Sequence, residues 1–90
     1  MSPGGSVSGD YSKVADAQLD ELEAADPELY NDVLTVCDLI FRFPERAQSM
    51  SSAIRTDQGI RLRIAVPGRH PYKVFWSTDG PRVEAVFPHP

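Results

Sequence analysis

The sequence predicts an α+β domain in which an N-terminal helical hairpin packs on one face of an antiparallel β-sheet, in the order β-α-α-β-β-β. Three observations carry this. Residues 59–66, 72–77 and 82–88 are short runs rich in β-branched and aromatic residues, separated by Pro67-Gly68-Arg69-His70-Pro71 and Thr78-Asp79-Gly80-Pro81. Turn residues between strand-like runs predict an antiparallel meander. In the first run Ile60, Leu62, Ile64 and Val66 alternate with Arg61, Arg63 and Ala65, so the two sets fall on opposite faces of a strand. A sheet with one apolar face needs a cover, and the helical pattern upstream is the apolar material left to supply it.

The first ten residues, MSPGGSVSGD, lack the basic and apolar regions of a secretion signal. Residues 1–9 read as a flexible tail and residues 10–90 as a single domain. Residues 10–14 carry a weak signal for a short edge strand. From Ala15 the pattern turns helical, with Ala15, Leu19, Leu22 and Ala25 on one side and Asp16, Gln18, Asp20, Glu21 and Glu23 on the other. Ser12 suits its N-cap. Asp26-Pro27-Glu28 marks a restart, with Asp26 as cap, Pro27 at the first helical position and Glu28 at the positive end. Leu29, Val33, Val36, Cys37 and Ile40 then form one stripe, widened by Leu34 and Phe41. Phe43-Pro44 ends this helix, because a residue before proline is pushed out of the α region. Glu45 to Ala47 suggest one further turn. Residues 48–58 are polar, with three serines, and read as a loop or irregular link.

Composition narrows the function classes. No run of about 18 apolar residues exists, so no membrane span is expected. The single cysteine, Cys37, has no internal disulfide partner and suits a reducing cytoplasm; it sits mid-stripe, where a buried thiol acts as a small hydrophobe. His70 and His89 stand beside prolines without a Cys/His/Asp cluster, and there is no GxGxxG, P-loop, CxxC or HExxH. No metal and no cofactor is therefore expected. The net charge of −4 conceals two halves. Residues 1–41 hold one base against nine acids, a balance of −8, and residues 42–90 hold eight bases against four acids, a balance of +4. The acidic whole argues against a general nucleic-acid glue, while the basic half permits an anionic partner on the sheet. The same charges would serve equally as ordinary solvated faces.

If Val74 and Trp76 join the core, Lys73 and Phe75 share the open face with Arg61 and Arg63. Cations beside an aromatic suit phosphate contact and base stacking; an alternating polar outer face is also what keeps an antiparallel sheet soluble.

The order weak strand, helix, helix, three-strand meander resembles the RelE/ParE toxin superfamily, over roughly residues 10–89. Ser12-x-x-Ala15-x-x-x-Leu19-x-x-Leu22 is similar to the family's opening, Phe43-Pro44 to its second-helix ending, Tyr72-Lys73-Val74-Phe75-Trp76 to its central strand, and residues 82–89 to its last strand and histidine-containing tail. The resemblance implies a bacterial toxin of a toxin–antitoxin pair, held in check by an acidic antitoxin protein. One branch cleaves mRNA on the ribosome without a metal, and the other poisons DNA gyrase without enzymatic chemistry. For the first branch it implies catalytic roles for Arg61, Arg63, Lys73, Glu84 and His89, and RNA binding by Arg61, Arg63, Arg69, Lys73, Phe75 and Arg82. His89 stands one place beyond the family's late acid/base position, which Pro88 occupies here, and no tyrosine follows it.

Overall fold

A computed structural model describes residues 10–90, so the tail expected at residues 1–9 lies outside the described residues. The elements are β1 (Asp10–Tyr11), α1 (Lys13–Ala25), α2 (Pro27–Arg42), α3 (Pro44–Ser49), β2 (Ser52–Thr56), β3 (Gly59–Ala65), β4 (Tyr72–Ser77) and β5 (Arg82–Pro88). Helices followed by a sheet make the α+β class that the patterning predicts.

The helix boundaries follow from capping chemistry. Ser12 Oγ accepts from the Ala15 N–H at 3.0 Å, which fills one of the open donors at the start of α1. Asp26 serves two helices. Its N–H donates to the Leu22 carbonyl at 2.8 Å and closes α1, while its Oδ1 accepts from the Leu29 N–H at 3.2 Å and opens α2. Pro27 fills the first turn of α2, and Pro44 does the same for α3 after Phe43 closes α2 on the Leu39 carbonyl.

The sheet has five strands in the order β1-β5-β4-β3-β2. Strands β2 to β5 form an antiparallel meander, and β1 runs parallel to β5. The region 48–58 is thus not a loop: α3 runs to Ser49, and β2 pairs with β3 from Ser52↔Arg63 to Thr56↔Gly59. Its serines masked the strand, since Ser52-Ala53-Ile54-Arg55-Thr56 shows no apolar/polar alternation. The hairpin closes at Gly59, whose φ of +112° is a conformation that glycine adopts at little cost.

The two edges of the sheet differ. Strand β1 reaches only to Val83. Beyond it, side chains of the α1 segment take over the edge of β5: the Ser12 hydroxyl donates to the Glu84 carbonyl, and Gln18 Oε1 accepts from the Val86 N–H at 2.6 Å. These contacts satisfy main-chain groups that would otherwise invite a foreign strand.

The helices cover the inner face of the sheet. Trp76, Val74, Val83, Val86, Ile64 and Leu62 pack there against Ala15, Leu19, Leu22, Val33, Cys37 and Ile40. Trp76 is wholly buried, and its indole N–H donates to Ser51 Oγ at 3.1 Å. Ile60 shares the face of Leu62 but stays 60% exposed, because the β2–β3 hairpin extends past the helical cover. Cys37 lies in the core against Tyr11, and burial pushes its thiol up to about 12. Burial likewise raises the Tyr11 phenol well above its ordinary value.

Two consequences can be measured. A thiol whose folded pKa exceeds its ordinary value of 9.0 keeps its proton in the native state after the unfolded chain has lost it. Stability is therefore full below about pH 9 and falls as pH rises through the window from 9.0 to about 12, by up to about 1.4 kcal/mol per pH unit. Cys37→Ala reduces that slope in urea titrations, with the Tyr11 share remaining. Ser12→Ala removes a helix cap and leaves a β5 carbonyl short of its donor, and should lower stability by about 2 kcal/mol in the same assay.

Candidate functional site on the outer face of the sheet

The face turned away from the helices is built from alternate residues of the meander. Register places Ser52, Arg63, Phe75 and Ala85 along one rung. Ile54 pairs with Arg61 on one side of that rung, and Ala65, Lys73 and Phe87 lie on the other. Between Phe75 and Trp76 the partner on β5 skips from Ala85 to Val83, so Glu84 is the extra residue of a β-bulge. A bulge lets Val83 and Val86, three residues apart, both point into the core. It also turns Glu84 to the outer face.

Glu84 lies between two guanidinium groups. Ser77 Oγ donates to its Oε2 at 3.0 Å, Arg61 Nε stands 3.9 Å from the same oxygen, and Arg82 Nη1 stands 3.9 Å from Oε1. The two ion pairs are longer than hydrogen bonds. The carboxylate therefore retains accepting capacity, mainly at Oε1, and the arginines retain donors. Arg82 also faces Asp10 on β1 at 3.7 Å. These groups border a hollow of about 630 Å³, whose lining includes Ile54, Arg61, Arg82, Glu84, Phe87 and His89. Within the lining itself two guanidiniums face one carboxylate, with Asp10 as a second acid behind Arg82, beside an aromatic and aliphatic wall.

His89 borders the hollow at the far end of β5. Its Nδ1 lies 3.0 Å from Arg63 Nη1, and Arg63 Nη2 donates to Ser52 Oγ at 3.3 Å. A guanidinium has no acceptor, so the imidazole must accept at Nδ1, and its proton sits on Nε2. The ring also meets Phe75 and Phe87 edge-on, with centroids 5.3 and 6.0 Å away.

The structure brings together Arg61, Arg82, Glu84 and His89 at the hollow, with Arg63 behind His89. Lys73 is on the same face but outside the hollow, and its Nζ donates to the Pro71 carbonyl at 3.1 Å. Two expectations need correction. Arg69 is not on this face: its Nε bonds Asp32 Oδ2 on α2 at 2.7 Å, because the β3–β4 connection folds back toward the helices. Phe75 occupies the expected face but is only 5% exposed, with Phe87 stacked on it at 4.6 Å. Phe87 is the ring left partly open to a ligand. Sequence reasoning did not single out Ser77, Ile54 or Phe87, and it read Ser12 as a helix cap without its second contact to the Glu84 carbonyl. Ser77 shares the alternation of Lys73 and Phe75, which was a usable signal, and the spacing of Val83 and Val86 hinted at the bulge.

No protein-family model matches the sequence, and comparisons with curated proteins and with solved structures return no relative. The geometry separates two arginines that the sequence groups together. An anion that enters the hollow meets Arg61 and not Arg69, so for any polyanionic probe followed by fluorescence anisotropy Arg61→Ala should lower affinity about tenfold and flatten the salt dependence, whereas Arg69→Ala should change neither.

Proposed function

We propose that the protein is a RelE/ParE-like toxin of a bacterial toxin–antitoxin pair, acting in the cytoplasm as a metal-independent endoribonuclease on mRNA. The observation that carries this is the convergence of Glu84, Arg61, Arg82 and His89 on one hollow beside an aromatic wall. Cleaving RNA without a metal requires a base for the ribose 2′-hydroxyl, positive charge for the phosphorane and an acid for the leaving oxygen. Glu84 takes the 2′-hydroxyl proton as that oxygen attacks the adjacent phosphorus. Arg61 and Arg82 draw off the charge that develops on the phosphoryl oxygens. The bond from phosphorus to the 5′-oxygen breaks, and that oxygen receives a proton from His89 Nε2. The products are a 2′,3′-cyclic phosphate and a free 5′-hydroxyl. Phe87 and Ile54 offer a surface on which a base can stack. Among the described residues no three His, Cys, Asp or Glu side chains converge as a metal donor set.

The charge layout also favours a particular mode of restraint. Acids such as Asp16, Asp20, Glu21, Glu23 and Glu28 stud the exposed faces of α1 and α2, while the opposite face of the domain carries Arg61, Arg63, Lys73 and Arg82. An acidic antitoxin segment fits the sheet face and would be repelled by the helices.

A second reading, a gyrase-directed or catalytically inactive relative, is favoured by one observation: Arg63 and Lys73 already hold partners within the chain. Purified protein and a fluorescent oligoribonucleotide in EDTA separate the two. The ribonuclease reading expects fragments ending in cyclic phosphate, and a loss of about 10²- to 10⁴-fold in kcat for Glu84→Gln. Intact RNA, both free and on translating ribosomes, together with inhibited gyrase supercoiling would support the second reading instead.

A further inference from the structure

Arg63 does not border the hollow, although it shares the face of residues that do. Its guanidinium is spent on His89 Nδ1 and Ser52 Oγ. The main chain at His89 is fixed as well, since its N–H donates to the Pro71 carbonyl at 2.8 Å. Lys73 Nζ donates to that same carbonyl. Of two cations that would ordinarily be assigned to phosphate, one thus faces the imidazole and the other shares the carbonyl that anchors its main chain. The charged groups around that ring are Arg63 on β3, Lys73 on β4 by way of Pro71, and Arg61, Glu84 and Arg82 at the hollow that it borders.

We propose that Arg63 is a positioning residue for His89, a latch that the substrate phosphate releases; this rests on the ribonuclease reading above. In the latched state the ring carries one proton, on Nε2, and its Nδ1 lone pair faces a guanidinium N–H. Delivering the Nε2 proton from this neutral ring would leave an imidazolate, so the ring must first gain a second proton. Nδ1 cannot take it while Arg63 is in place. A phosphodiester is a better acceptor for a guanidinium than a neutral imidazole. A phosphate that follows the open face from the hollow as far as Arg63 therefore draws the guanidinium away, and Nδ1 takes a proton from solvent. The imidazolium gives its Nε2 proton to the departing 5′-oxygen and returns to the neutral form. Glu84 passes the proton it took from the 2′-hydroxyl back to solvent, so no net proton is consumed. His89 is thereby loaded as an acid only when substrate is present.

The test is ¹⁵N NMR of the histidine rings in the full chain, with exposed His70 as an internal reference. In the free protein at neutral pH the His89 Nδ1 resonance is expected to depart from that of His70, with a coupling through the hydrogen bond to an Arg63 Nη. Arg63→Met should abolish both features, and Arg63→Lys, which keeps a donor, should restore the shift in part. Adding a 2′-deoxy oligonucleotide, which can bind but not react, should convert wild-type His89 Nδ1 to a protonated nitrogen. Matching His70 and His89 shifts in the free wild type would overturn the latch itself. A His89 ring unmoved by bound oligonucleotide would overturn its release. Absence of both oligonucleotide binding and RNA cleavage would remove the release step together with the ribonuclease reading, while the free-protein spectra decide the Arg63 contact independently.

Discussion

One hydroxyl ties the helical layer to the strand that carries Glu84. Ser12 accepts from the first turn of α1 and donates to the main-chain carbonyl of Glu84, while its own N–H bonds the Val83 carbonyl. These contacts fix the start of the first helix against the bulge of β5. The bulge in turn decides which way Glu84 points. Every distance at the hollow is set downstream of this junction: Ser77 can reach Oε2, and Arg61 and Arg82 can flank the carboxylate, because the strand is locally out of step with its neighbour. A regular ladder in this segment would bury the carboxylate or expose one of the two valines.

Much of the fold is legible in the chain because its signals are local. The Ser12 cap, the Asp26-Pro27 restart and the Phe43-Pro44 stop each sit where the helices begin or end. The alternation of Leu62 and Ile64 with Arg61 and Arg63 assigns the faces of β3 correctly. What the chain hides is non-local. Strand β2 has little pattern of its own and is defined by pairing with β3. Phe75 looks like an exposed aromatic until Phe87 and His89, which lie more than ten residues away, close over it. Arg69 looks like one more cation of the sheet, and its attachment to Asp32 depends on how the loop after β3 folds back. The grouping of Arg61, Glu84 and His89 could be named in advance, but the partition between them could not.

That partition shapes the chemistry. Cations crowded on one small sheet repel one another, and the fold offsets this by dividing them among several acceptors: the Glu84 carboxylate shared by Arg61 and Arg82, the Gln58 and Ile60 carbonyls for Arg61, Asp10 for Arg82, an imidazole for Arg63, a carbonyl for Lys73. The arginine contacts at Glu84 are long, and the cation contacts at His89 and Pro71 are short. Free capacity is therefore concentrated at the hollow, where an incoming anion would find two guanidiniums only loosely engaged. Arg63 holds the His89 ring, and Lys73 bonds the Pro71 carbonyl that also anchors the His89 main chain. This arrangement concentrates positive charge locally in a chain whose overall charge is negative.

The central claim is that this face breaks RNA through attack of a ribose 2′-hydroxyl whose proton passes to Glu84. The most direct measurement uses an oligoribonucleotide with a single 2′-deoxy residue at a mapped cleavage position. The account predicts that cleavage stops at that bond and continues at other sites in the same strand. Continued scission at the deoxy position would contradict it.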